Sequence, residues 1–278
     1  MKPTPAYWPA MAASRAVVAV VTLGAMAGQL PAQQPLAARV AAVRNGAVQF
    51  EFAARDGVCG DGRGYIRVGG SMIGAFNPSA NCTPGPVRVL LQLRDAMITS
   101  LREFAGPVPP ANSGVTELGE VSPVDGANYL LSLAESDADA RVANRAVFPA
   151  VLGRDVVAWP ALLRIAKAER DGNRRGKHDV TFWLAQYAAA KLAGSDSPFA
   201  ANEDRDRREA ETLKEHAVFA LAQLRHGEGI EPLIQVARTN TNAAVRARAM
   251  FWLGESGDRR ALELFEQALT KGAATPHG

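Results

Sequence analysis

The residue types able to do chemistry are few in this 278-residue chain, and they are scattered. Its four histidines are His178, His216, His226 and His277. None stands at ligand spacing from a cysteine or an acid, and no H-E-x-x-H occurs, so each reads as a surface histidine. Glu135-Ser136-Asp137-Ala138-Asp139 could hold a cation weakly, but helix capping by Asp137 or Asp139 explains the acids more simply. Gly69-Gly70-Ser71-Met72-Ile73-Gly74 misses a nucleophile elbow by one residue and leads into no helical pattern. Gly60-Asp61-Gly62-Arg63-Gly64 connects strands instead of opening a helix, which removes it as a phosphate loop. Cys59 and Cys82 are the only cysteines. An even pair in one small module is most simply a disulfide of an oxidising compartment, since redox or metal use wants C-x-x-C or added histidines. Asn81-Cys82-Thr83 matches a glycosylation acceptor, discounted because the asparagine adjoins the expected disulfide. Nothing here assembles an active site, so the expectation is a non-enzyme with no metal and no cofactor.

What remains is apolar and repetitive. One pattern is Ala146-Val147-Phe148-Pro149-Ala150, Val180-Thr181-Phe182-Trp183-Leu184, Ala217-Val218-Phe219-Ala220-Leu221 and Ala249-Met250-Phe251-Trp252-Leu253. A second lies between its copies: Leu130-Leu131-Ser132-Leu133-Ala134, Leu162-Leu163-Arg164-Ile165-Ala166, Leu233-Ile234-Gln235-Val236-Ala237 and Leu264-Phe265-Glu266-Gln267-Ala268. Two helical patterns alternating at a period of thirty-odd residues predict stacked helix pairs, an α-solenoid. Between the Phe182 and Phe219 copies the expected second helix is replaced by Ala188 to Ala193 and a polar stretch running to Glu209, an insertion that reads as a solvated loop or a binding element. Trp183 and Trp252 are expected in the core.

Upstream, Lys2 and Arg15, an apolar run over residues 16–27 and small-residue sites near residues 25–32 predict a secretory signal, 1–32. The run is too short to span a bilayer, which needs about twenty residues. An uncleaved anchor is the alternative. Val48, Phe50, Phe52 and Ala54 alternate with polar residues, so 47–55 reads as a strand. Tyr65–Val68 reads as a second strand. Val87 to Leu93 and Met97 to Phe104 read as a hairpin turning at Arg94-Asp95-Ala96. These make a small antiparallel β domain, 33–106. Residues 107–124, rich in proline and glycine, read as a linker or an extended segment lying across the first helix, and 271–278 as a disordered tail.

The formal charge is +3 with pI about 9.0. Removing the two leader cations from +3 leaves +1. A mature chain so near neutrality offers no electrostatic case for nucleic acid.

Ala244-Val245-Arg246-Ala247-Arg248-Ala249-Met250-Phe251-Trp252-Leu253-Gly254, with Gly257-Asp258-Arg259-Arg260-Ala261-Leu262 after it, resembles HEAT repeats of the phycobilisome-lyase-like class. Ala217 to Ala237 resembles the same outline, with Arg225-His226-Gly227-Glu228-Gly229 as its turn, and Leu152-Gly153-Arg154-Asp155 resembles that turn earlier. The likeness implies a mainly α fold: a HEAT-like α-solenoid of about four helix pairs over 125–270, behind the small antiparallel β domain with its one disulfide. It also implies protein–protein interaction, with the Val-Arg-type helices lining a concave side. With the leader, the whole looks like an exported bacterial HEAT-repeat protein.

On those inner helices each phenylalanine shares a side with the residue four later. Phe148, Phe182 with Gln186, Phe219 with Gln223, and Phe251 with Glu255 would form an aromatic column beside amide and acid groups, able to hold an extended peptide. The competing reading is that the phenylalanines fill gaps between repeats. The expected protein is thus a periplasmic or secreted interaction scaffold for a protein or peptide, with no nucleic-acid partner and no stable membrane insertion once the signal is removed. Two alternatives stay open. One is an enzyme or chromophore-handling protein of the lyase-like branch. The other makes the β module the working part, sensing envelope state through Cys59 and Cys82.

Overall fold

The computed structural model describes residues 34–68, 71–74, 81–108, 113–136, 139–168, 174–199 and 212–271. The expected signal, 1–32, lies outside them, as do residues 200–211 of the insertion and 272–278 of the tail. From Pro35 onward the chain forms one compact unit.

A short helix, α1 (Leu36–Ala41), opens the unit. The strands are β1 (Gly46–Phe52), β2 (Val58–Gly60), β3 (Tyr65–Val68), β4 (Ser71–Gly74), β5 (Thr83–Pro84), β6 (Val87–Arg94), β7 (Met97–Ala105) and β8 (Val115–Glu120). They make two four-stranded sheets, β7-β6-β1-β8 and β4-β3-β2-β5. The expected antiparallel hairpin of β6 and β7 is present, with Asp95 and Ala96 at φ 52° and 63° in its turn. Cys59 and Cys82 form the expected disulfide, joining β2 to the lead-in of β5.

Two features depart from a purely antiparallel module ending in a linker. Residues 115–120, inside the segment expected as linker, form β8, which pairs parallel with β1. The hydrophobic core is also continuous from the strands into the helices. Val48, Phe50 and Phe52 point from β1 into it with 0–1% exposure. Phe52 lies so close to the backbone of Gly126 that a Cβ there would meet its ring at 2.7 Å. Beyond β1 the chain bridges to the helices through the Ala54–Gly153 pair. Arg55 N–H donates to the Leu152 carbonyl at 2.8 Å, and Arg154 N–H to that of Ala53 at 3.0 Å. Arg55 Nη2 adds bonds to the carbonyls of Gly153 (3.2 Å) and Val156 (2.8 Å).

The helical part comprises α2 (Pro123–Glu135), α3 (Ala140–Val151), α4 (Trp159–Lys167), α5 (Arg174–Leu192), α6 (Thr212–Ala222), α7 (Ile230–Thr239), α8 (Ala243–Ser256) and α9 (Arg259–Lys271). Local chemistry sets several of their starts. Ser122 Oγ accepts from Asp125 N–H at 3.0 Å and donates to the Asp125 carboxylate at 2.7 Å. Asp139 caps α3 through the N–H groups of Arg141 and Val142, and Asn242 caps α8 through those of Ala244 and Val245. Each cap satisfies donors that would otherwise lack partners. Ala188 to Ala190, read from sequence as standing in place of the expected second helix, instead continue α5 and are buried.

The pairs do not stack in chain order. α5 packs against α3 on one side and α8 on the other, while α6 packs against α7 and α8. The α8–α9 pair therefore sits between α4–α5 and α6–α7. The other helix layer repeats this order in its polar contacts: Glu135 of α2 pairs with Arg164 of α4 (2.8 Å), Lys167 of α4 with Glu266 of α9 (2.5 Å), and Gln267 of α9 accepts from Arg238 of α7 (2.9 Å). At the α5–α8 contact Thr181 Oγ1 donates to the Gly254 carbonyl at 2.9 Å.

Candidate functional site

The phenylalanines singled out from sequence lie in one chain of ring contacts, joined partly through tryptophans and in the order set by the stacking. Phe148 stacks on Trp183 (centroids 5.8 Å apart), which meets Phe182 (5.0 Å). Phe182 meets Phe251 edge to face (5.9 Å), Phe251 meets Trp252 (5.0 Å), and Trp252 meets Phe219 (5.2 Å). Six rings from four helices thus run α3, α5, α8, α6. Edge-to-face and offset contacts suit the ring quadrupoles and add stability beyond area burial.

Exposure along the column is uneven. Phe148, Phe182 and Phe251 are half-buried, whereas Phe219, on the helix at the end of the stack, is 45% exposed. Arg248 places its guanidinium 5.8 Å over the Phe251 ring. The polar partners assigned from sequence divide. Gln223 is exposed and Glu255 half-buried, but Gln186 is only 7% exposed. Gln186 is therefore no part of a surface stripe: α5 is flanked on both sides, so the position one turn after Phe182 faces protein. Trp183 is core as expected, while Trp252 is half-buried, its indole nitrogen enclosed without a hydrogen-bond partner among the described residues. Leu224, missed in the sequence reading, is 45% exposed beside the Phe219 helix and extends the apolar end. Its signal was its position just after α6, before a turn, where the repeat pattern stops.

Residues 205–275 match the family model for HEAT repeats. The match covers α6 to α9, two helix pairs that include the most exposed end of the aromatic column. No curated protein and no solved structure matches the chain.

A second concavity lies away from the HEAT segment. It is a cleft of ≈ 640 Å³ where β1, β2, β5 and β8 meet the turn after α3. The disulfide, Glu51, Glu120, Arg67 and Arg154 are among its lining groups. Behind it Arg88, 2% exposed, donates through Nη2 to the carbonyls of Gly62 (3.0 Å) and Pro107 (2.9 Å). Burial lowers the Arg88 pKa while Glu51 and Glu117 raise it. Among the described residues no group of three or more histidines, cysteines and acids could hold a metal ion, and no helix is long and apolar enough to cross a membrane. His226 is exposed in the turn after α6, and the other three histidine side chains lie outside the described residues.

Proposed function

We propose that this protein is an exported, non-catalytic scaffold that holds a protein or peptide along the aromatic face of its helix stack. HEAT repeats commonly mediate protein interactions, and their stacked surfaces offer extended binding faces. The observation that carries the reading is the exposed end of the ring column, where Phe219 and Leu224 are each 45% open beside the exposed amide of Gln223. Aromatic area with an adjacent amide suits a peptide that presents an apolar side chain and a backbone needing hydrogen bonds. Export is supported by the leader pattern of residues 1–32 and by the disulfide, which persists in an oxidising compartment.

Crosslinking capture from an envelope extract tests both parts. The mature protein as bait should recover a partner that is lost with Phe219→Ala combined with Gln223→Ala, and kept with Glu263→Ala on the exposed side of α9. A partner insensitive to the first pair would refute the aromatic face as the site. Recovery of the full-length chain from the cytosolic fraction, with its first 32 residues intact, would refute export.

A further inference from the structure

We propose that the cleft between the sheets and the turn after α3 is a second binding site, for a small zwitterion such as an amino acid or short peptide with both ends free. Its ≈ 640 Å³ lies in the ordinary range of ligand pockets. Glu51 and Glu120 are register partners on the parallel strands β1 and β8 and both line it. Like charges directly opposite on neighbouring strands repel. Neither carboxylate has an ion-pair or hydrogen-bond partner for its side chain among the described residues. Arg67 of β3 and Arg154 after α3 also line the cleft, both exposed and both without a carboxylate partner. Glu51 acts on the buried Arg88 opposite it on β6, yet the two acids and two exposed arginines that share this concavity form no ion pair with one another among the described residues.

A single-signed ligand answers only half of this arrangement. An anion would leave the Glu51–Glu120 repulsion in place, and a cation would leave the arginines unanswered. The acids also fail to converge as a metal cage. A zwitterion meets both sets: its ammonium has three donors for the carboxylates, and its carboxylate accepts a guanidinium fork. The walls are held in place before any ligand arrives. The disulfide fixes β2 to the lead-in of β5, and the Ala54–Gly153 bridge fixes the turn that carries Arg154. Such preorganisation lowers the ordering cost of binding.

The test is calorimetric titration of the oxidised mature protein with alanine, dialanine and trialanine, then with the N-acetylated and C-amidated forms of the tightest. At least one free form should bind saturably, and each cap should weaken it by about tenfold or more. Glu120→Gln should erase the difference between free and acetylated forms, and Arg154→Gln the difference between free and amidated forms. Should Arg154→Gln not fold, Arg67→Gln makes the same comparison from the other wall. No saturable binding of any free form, or equal binding of free and capped forms, overturns the proposal. The site is independent of the aromatic face, so the capture experiment and this titration stand or fall separately.

Discussion

Phe182 and Phe251 meet edge to face with ring centroids 5.9 Å apart, although a whole helix pair, α6–α7, lies between them in sequence. That contact is the signature of the transposed stacking. It predicts a double-mutant coupling for Phe182→Leu with Phe251→Leu of about 0.5–1.5 kcal/mol in urea unfolding. Phe182→Leu with Phe219→Leu should be additive to within about 0.3–0.5 kcal/mol, because Phe219 touches Trp252 instead. Coupling found in the second pair and missing from the first would restore chain-order stacking.

The same interface depends on Gly254. A Cβ there would meet the Ala185 Cβ at 2.7 Å and the Thr181 carbonyl oxygen at 3.1 Å. Alanine gains up to about 1 kcal/mol in helix propensity over glycine. Backbone and a neighbouring Cβ cannot swing aside, so overpacking should win by about 1–3 kcal/mol and Gly254→Ala should melt below wild type. A variant that melts higher would mean α5 and α8 are not in contact here.

Tyr129 of α2 lies against the Phe50 ring, and burial pushes its phenol up to about 12 from a usual value near 10. The folded state holds the proton over a range where the unfolded chain has released it. The resulting stability is full below pH 10 and is lost as pH rises from 10 through 12. It amounts to about 2–3 kcal/mol, since each pKa step of one corresponds to about 1.4 kcal/mol. Urea unfolding between pH 9 and 12 should show this decline, and Tyr129→Phe should flatten it. An unchanged slope in the variant would assign the alkaline loss to other groups.

The parts legible from sequence were those governed by local period. Val48, Phe50 and Phe52 alternate, and the strand through them buries that face. The Leu162-Leu163 and Leu233-Ile234 runs mark helices whose same residues are buried. β8 was not legible because Val115–Glu120 has no buried face of its own and owes its pairing to a distant partner, β1. Repeat order was hidden for a related reason: a helical period says that a pair forms, not which pair lies beside it. Both the buried Gln186 and the exposed Phe219 follow from that order, one mid-stack and one at its end.

This difference between middle and end makes the last prediction. Leu221 and Leu253 occupy the same position in their repeats. Leu253, on α8 between two neighbours, is fully buried, whereas Leu221 on the terminal α6 is half-buried. Leu253→Ala should cost about 2–5 kcal/mol, because it removes buried methyl groups and leaves a cavity. Leu221→Ala should cost clearly less, since solvent already reaches the site and fills no new void. Equal losses of melting temperature in the two variants would mean that α6 is not the end of the stack.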